Sequence, residues 1–159
     1  MLIYAHEKEE KLLLKIQSSI AIGASAAVIW PLLVEPENIM KWCPVEAIRY
    51  SGEQQTGINT QFYFEEKAIW RLLKMNFVVT EWVLHKRVAF KMTSGDFVKG
   101  YEQRYIIEKG CHGNTFTCFE NVKMPYGVLG RIGGLLRSRI SVGRLDRMLL
   151  KLKMRAEET

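Results

Sequence analysis

The sequence predicts an α+β fold in which a curved antiparallel sheet of about six to seven strands wraps around one long C-terminal helix. From residue 45 to residue 124, apolar and polar side chains alternate, and short polar turns separate the alternating segments. Short turns join only neighbouring antiparallel strands, since parallel strands need long crossovers. Residues 126–157 instead carry an apolar stripe of helical period. A sheet with one apolar face needs a partner, and this helix is the largest one in the chain.

The predicted C-terminal helix runs from Tyr126 to about Glu157. Its apolar residues recur every seven positions at Val128, Leu135, Val142 and Leu149. Because an ideal helix drifts by roughly 20° per seven residues, the stripe changes flank along the helix, as suits a helix lying diagonally across a twisted sheet. Glycines within the same segment indicate that the helix bends or approaches the sheet closely.

Two short helices are predicted ahead of the sheet. Ser25 lies at an N-cap position before the apolar segment 26–34, which predicts a buried helix. Pro31 lies inside that segment, where proline removes a backbone hydrogen bond, so we expect this helix to be kinked or split. Pro36 is favoured at a first helical position and predicts a second helix ending near Trp42.

The period-two segments predict the strands and the turns between them. The predicted strands are 12–22, 45–50, 60–65, 69–84, 88–93, 97–108 and 115–124. The charged triplet "EEK", residues 65–67, is assigned to the turn between two of them. His85, in the charged turn "HKR", is expected to face solvent.

The chain is expected to form a single domain over residues 1–159, with residues 1–11 as a loose lead-in. Its 48% hydrophobic and 25% charged residues are typical of a globular protein. No apolar run approaches the roughly 20 residues of a membrane span, and no secretion signal is recognisable, so we expect a cytoplasmic protein. Three cysteines without a C-x-x-C spacing argue against a disulfide framework and a structural zinc site. We expect no metal and no cofactor, and a monomer or weak homodimer.

Positive charge is concentrated in the C-terminal helix. Residues 125–159 hold 8 of the 23 basic residues but only 3 of the 17 acidic ones. The plain interpretation is a solvated helix face. The alternatives are docking on an anionic membrane surface or on an acidic partner. Nucleic acid is disfavoured, because no basic-aromatic stacking platform or helix-turn-helix pattern accompanies the charge.

Four phrases of the sequence carry a resemblance to a known superfamily. They are "IAIGASAAVIWPLLVEPENIMKW", "TEWVLHKRVAF", "GNTFTCFENVKMP" and "LLKLKMRAEE". Together with the order of elements, they resemble the START-like or SRPBCC superfamily, and within it the small polyketide cyclase/dehydrase-like proteins with the helix-grip fold. The resemblance covers nearly the whole chain.

The resemblance implies a deep, mainly apolar cavity between the concave sheet and the C-terminal helix, in which such proteins hold lipids, sterols, polyketides or other hydrophobic molecules. Trp42 and Trp82 are expected near its rim. Tyr101, Gln103 and Glu120 are candidates to orient a ligand. The full set of candidate lining residues is Phe62, Phe64, Leu73, Met75, Phe77, Phe90, Met92, Tyr101, Gln103, Tyr105, Phe116, Cys118, Leu135 and Val142.

No catalytic signature accompanies these residues. A nucleophile elbow, a phosphate-binding loop and a metal-binding histidine pair are all absent from the sequence. We therefore expect a carrier or sensor of a small hydrophobic molecule. The alternative is a polyketide cyclase, aromatase or dehydratase, in which Tyr101, Gln103 or Glu120 assists proton transfer. Alternation places Glu120 either in the cavity or in solvent. A further alternative is a lipid carrier that docks on a membrane through the basic helix.

Overall fold

The computed structural model describes residues 13–68, 71–96, 98–123 and 128–158, and between 128 and 141 it describes only the helical backbone. The predicted lead-in lies outside these residues. The described elements, in chain order, are β1 (Leu13–Ile22), α1 (Ala26–Val34), α2 (Pro36–Ile39), β2 (Ala47–Tyr50), β3 (Gln61–Ala68), β4 (Arg71–Val83), β5 (Arg87–Gly95), β6 (Gly100–Gly110), β7 (Gly113–Lys123) and α3 (Val128–Glu157).

The strands form one seven-stranded sheet in the order β1, β7, β6, β5, β4, β3, β2. Every neighbouring pair is antiparallel. Strands β2 to β7 are neighbours in the sheet in the same order as in the chain, because short connections join only adjacent antiparallel strands. β1 completes the sheet by pairing with β7. The predicted α+β fold, with its antiparallel sheet and long C-terminal helix, is confirmed.

The connection between β3 and β4 differs from the prediction. The triplet "EEK" does not form a turn, because Glu65, Glu66 and Lys67 lie within β3 and pair with residues of β4. Two adjacent acidic residues are tolerated in the strand because successive side chains point to opposite faces of the sheet. The strand β3 continues to Ala68, and residues 69–70 lie outside the described residues.

Two other turns depend on unusual backbone conformations. His85, between β4 and β5, has a φ of 61° and is exposed, as predicted. Gly113, the first residue of β7, has a φ of 127°, and a Cβ atom there would lie 2.3 Å from the carbonyl oxygen of Ile22. Only glycine combines this φ with this close approach. The last hairpin is thereby held against the end of β1.

The two short helices follow the predicted caps. The Ser25 side chain accepts a hydrogen bond from the amide of Val28 at 3.3 Å, which confirms it as the N-cap of α1. Pro31 does not split this helix, which is continuous from Ala26 to Val34. The helix loses one hydrogen bond at Pro31. Its buried apolar side chains, which offset that loss, are Ile29, Trp30, Leu33 and Val34. The second helix, α2, begins with Pro36 as predicted but ends at Ile39, before Trp42.

The second half of α3 packs against the sheet. Its buried residues are Leu145, Met148, Leu149, Leu152 and Ala156. Val142, predicted to belong to the same apolar stripe, is instead 39% exposed. Val142 lies three residues before Leu145 and seven before Leu149, so helical periodicity places it on the same flank, and its exposure shows that burial of this flank begins only at Leu145 in the segment 142–157. Tyr126, the predicted first residue, lies outside the described part of the chain.

Polar contacts hold the end of α3 against β1. The Ser18 hydroxyl donates a hydrogen bond to the Asp146 carboxylate at 2.5 Å. The Glu157 carboxylate accepts from the backbone amide of Gly23 at 2.6 Å. These contacts lie at the two ends of the packed segment, so they fix both its position and its direction on the sheet. Over the described residues, no helix is long and apolar enough to cross a membrane.

Candidate functional site

The pairing of β6 with β7 brings polar side chains together on the concave face of the sheet. Gln103 lies opposite Glu120, and Tyr105 lies opposite Cys118. Side chains two apart in a strand share a face, so Tyr101 joins the same set. Glu120 is only 5% exposed, which places it on the inward face and resolves the alternative left open by the sequence.

Hydrogen bonds connect these side chains into what we call the polar cluster, Tyr101, Gln103, Tyr105 and Glu120. The Tyr105 hydroxyl donates to Gln103 Oε1 at 2.8 Å. Gln103 Nε2 donates to Glu120 Oε1 at 3.0 Å. The Tyr101 hydroxyl also hydrogen-bonds to Glu120. The three predicted polar candidates therefore form one connected group.

A cavity of about 60 Å³ lies between this cluster and α3. Its lining includes Cys43, Val45, Phe64, Glu66, Leu73, Met75, Phe77, Phe90, Asp96, Val98, Tyr101, Gln103, Glu120, Arg144 and Met148. Ligand pockets usually measure about 300–1,000 Å³, while a water molecule occupies roughly 30 Å³. A ligand of ordinary size therefore extends beyond this volume or displaces side chains around it. The walls are apolar, but the carboxylates and the guanidinium make the cavity more polar than the resemblance implies.

The predicted lining residues fall into different environments. Phe64, Leu73, Met75, Phe77, Phe90, Tyr101 and Gln103 line the cavity. Phe62, Tyr105, Phe116 and Cys118 are buried in the surrounding core. Met92 is partly buried and packs against that core. The side chain of Leu135 lies outside the described residues. Val142 is exposed and does not line this cavity, which corrects its predicted position.

The two tryptophans expected near the rim lie elsewhere. Trp42 is buried, and its indole N–H donates to the carbonyl oxygen of Leu32 at 2.7 Å. Its ring packs edge-on against the ring of Tyr105, with the two ring centroids 6.2 Å apart. Trp82 packs edge-to-face against Trp30, with ring centroids 5.2 Å apart. Both are therefore packing residues between the sheet and the short helices, and neither lines the cavity.

Two charged residues that were not predicted as site residues, Glu66 and Arg144, also line the cavity. Arg144 of α3 and Glu66 of β3 form an ion pair of 2.5 Å across it. Alternation from Phe62 and Phe64 would have placed Glu66 on the inward face if β3 had been extended through "EEK". Arg144 is one of the basic residues of the C-terminal helix that the sequence predicts on the solvated face, and no signal in the sequence separates it from the other arginines of the helix.

Burial controls the electrostatics of these groups. Desolvation raises the pKa of Glu120, although the Tyr101 hydrogen bond and the Arg144 charge oppose the shift. Burial and then the negative charge of Glu120 raise the pKa of Tyr101. Burial opposes the charge of Arg144, but the carboxylate of Glu66 and other nearby groups raise its pKa overall.

Cys43 lines the cavity but is not activated as a nucleophile. Burial of its thiol raises the pKa of Cys43 to about 12. A thiol that stays protonated at neutral pH is a poor nucleophile, because the thiolate is the reactive form. The other polar side chains that line the cavity, such as Tyr101, Gln103 and Glu120, can hydrogen-bond to a bound molecule.

The sheet, the two short helices and the long helix across the concave face make up a helix-grip fold, which is the fold that the resemblance implies. Solved structures support this fold. The chain matches a START superfamily protein from Mycobacterium smegmatis with a TM-score of 0.75 and 16% identity, over 91% of this chain and 97% of the other. It matches the ZhuI aromatase/cyclase of a Streptomyces species with a TM-score of 0.77 and 9% identity, over 91% and 94%.

A third match is to the di-domain aromatase/cyclase StfQ from the steffimycin biosynthetic pathway. Its TM-score is 0.80 at 12% identity, over 96% of this chain and 53% of the larger StfQ chain. No protein-family model matches the sequence, and no curated protein does so either. At these identities the likeness establishes the fold, and function has to be argued from the site.

Proposed function

We propose that the protein binds a small hydrophobic ligand between the concave sheet and α3, as a carrier or sensor. The observation that carries this proposal is the polar cluster set into apolar walls. Phe77 and Phe90 present hydrocarbon, while Gln103 and Glu120 present hydrogen-bonding groups to the same space. Sites for small molecules combine these features, since apolar walls supply affinity and a few polar groups supply orientation.

The aromatic packing around the cavity supports the same proposal. Phe77 contacts Phe64 and Tyr101 edge-to-face, with centroids 5.1 Å and 5.7 Å apart. Phe90 similarly contacts Tyr105 at 5.7 Å. Large side chains packed in this way form a stiff wall, so the strand side of the site is largely formed before a ligand enters.

Native mass spectrometry of the purified protein tests the proposal. We expect the native mass to exceed the mass of the chain, and we expect this excess to disappear under denaturing conditions. Extraction then releases the bound compound for identification. Binding of a fluorescent hydrophobic probe, followed by its displacement with the extracted compound, measures occupancy of the site. Absence of any co-purifying compound, together with no binding of hydrophobic probes, would contradict the proposal.

A second candidate function is a polyketide cyclase or dehydratase. The observation that favours it is that a carboxyl group, Glu120, and a phenol, Tyr101, both face the cavity. When ionised, a carboxyl group whose pKa is raised by burial can take a proton from a substrate carbon, and as the acid it can then return the proton to a hydroxyl group, which leaves as water while a carbon–carbon double bond forms. Tyr101 would hydrogen-bond to the substrate carbonyl during this exchange. Two of the proteins of similar structure are described as aromatase/cyclases.

The two candidates differ in the expected effect of Glu120→Gln. If the protein is a cyclase, this variant should no longer remove water from an added poly-β-ketone but should still bind it. Liquid chromatography with mass spectrometry measures the loss of water. Glu102→Gln, on the exposed face of β6, is the matched control and keeps the wild-type rate. No turnover by the wild type, despite binding, would exclude this substrate class and favour the carrier.

A further inference from the structure

Acidic groups outnumber basic ones among the described residues that line the cavity. Glu66, Asp96 and Glu120 contribute carboxylates, and Arg144 contributes the cation. Arg144 is already paired with Glu66 at 2.5 Å. Asp96 is held at the edge of the site, where its Oδ2 accepts a hydrogen bond from the amide of Lys74 at 3.2 Å. The cavity therefore holds little uncompensated positive charge.

Glu120 is held by neutral donors. Gln103 Nε2 and the Tyr101 hydroxyl donate to its carboxyl group. A carboxylate can accept about four hydrogen bonds, so two donors leave acceptor capacity. A hydroxyl or ammonium group on a ligand could fill it, whereas a ligand carboxylate would place a second anion beside Glu120 in a buried site. Two carboxyl groups in contact where water is excluded cannot both ionise at low cost, so one of them has to be protonated and the ligand acid binds less tightly.

We propose that the cavity selects hydrophobic ligands whose polar end donates hydrogen bonds and carries no negative charge, and that it rejects ligands ending in a carboxylate. The inference rests on the proposed binding function and narrows its ligand class to hydrophobic alcohols and amines. Glu120 accepts the hydrogen bond from the ligand's hydroxyl or ammonium group. The ion pair with Glu66 compensates the charge of Arg144, so the guanidinium attracts a ligand carboxylate less strongly. The apolar walls contact the hydrocarbon part of alcohols, amines and acids alike, so the polar end of the ligand determines which of them binds more tightly.

Three probes on one ring system test the selection by isothermal titration calorimetry: naphthalenemethanol, naphthylmethylammonium and naphthoate. We expect the alcohol and the amine to bind at least about tenfold more tightly than naphthoate. Glu120→Gln replaces the charge at nearly constant volume and should reduce this difference several-fold. Glu102→Gln, on the exposed face of the sheet, is the matched control and should preserve the difference.

Glu66→Gln supplies a second, independent variant. Loss of its charge frees Arg144, so naphthoate should bind more tightly to this variant than to the wild type, while the alcohol changes little. Tighter binding of naphthoate than of the alcohol to the wild type would overturn the selection. So would an unchanged preference in both variants once circular dichroism shows that they are folded. Failure of all three probes to bind would instead contradict the binding function itself, and the selection with it.

Discussion

Glu120 shows how a single position links the sheet to the chemistry of the cavity. Its side chain is buried because strand pairing places it opposite Gln103, on the concave face. The sequence alone could not assign this face, because β7 carries apolar residues on both sides, such as Phe119 beside Glu120 and Val122 two positions after it. The register of β7 with β6 determines which face Glu120 occupies. This register arises from pairing between separate segments of the chain.

Replacing Glu120 by glutamine should change how stability depends on pH. Burial raises the pKa of Glu120 in the folded protein, so folding favours the protonated form. This contribution is complete below the unfolded pKa of ~4.3 and is lost as pH rises through the raised folded pKa. We therefore expect the wild type to lose unfolding free energy relative to Glu120→Gln as pH increases above ~4. Urea unfolding of both proteins over a pH series measures this difference. A difference independent of pH would refute the assignment.

Glu66 illustrates a different limit of prediction. Its inward position follows from simple alternation, but a charge doublet next to a lysine is also typical of a turn, and the sequence gives no reason to prefer the strand. Its partner Arg144 lies on another element, and ion pairing between remote residues has no signature in the sequence. The charged part of the site could therefore not be predicted from the sequence and was identified only from the structure.

The helix α3 presents two different faces. Leu145 and Leu149 are buried against the sheet, while Leu150 and Met154 are 52% and 54% exposed on the outer side. Helical periodicity predicts most of this division, but it does not predict that Val142, on the same flank as Leu145 and Leu149, is 39% exposed. Pro31 shows the opposite case, since a residue expected to kink or split a helix lies inside α1, which is continuous from Ala26 to Val34.

The outer face of α3 is the surface through which we expect any membrane association to occur. Leu150 and Met154 lie beside the exposed cations Arg147 and Lys151. Exposed apolar side chains flanked by basic ones are typical of helices that lie in the interface of an anionic bilayer. The whole protein would bind weakly, since each cation contributes about 1 kcal/mol near an anionic surface.

Vesicle co-sedimentation tests this expectation. Binding should require phosphatidylserine, weaken as salt increases, and fall in the double variant Leu150→Ser, Met154→Ser. Leu84→Ser is the matched control, because Leu84 is 59% exposed but belongs to the β4–β5 turn. Equal binding of the two variants, or binding to neutral vesicles alone, would refute a role for this face.

The described part of the molecule is organised around a large core shared by the sheet, α1 and α3. The order of its strands could be predicted, because short connections leave a chain of neighbouring antiparallel strands few alternatives. The extent of the cavity could not, since it depends on how large side chains from five strands and a helix pack together. Patterns that identify an inward face do not distinguish a residue in contact with a ligand from one in contact with the core.

Leu152 tests how strongly stability depends on this shared core. It is fully buried, and Leu152→Ala should lower the free energy of unfolding by roughly 2–5 kcal/mol through lost burial and a new cavity. The exposed Leu150→Ala, two positions away on the same helix, is the control and should change stability by less than about 0.5 kcal/mol. Chemical denaturation of both variants gives the comparison. Similar losses in the two would mean that α3 contributes little to the cooperative core.

The division of the site between strands and helix bears on how new specificities could evolve. Gln103 and Glu120 belong to paired strands inside the sheet, where a change of register would move every neighbour. Arg144 comes from α3, which closes the cavity from the other side. Substitutions in the helix can therefore alter the shape and charge presented to a ligand while the strands keep their arrangement. A descendant of this protein could acquire a new ligand through the helix and retain the same folding core.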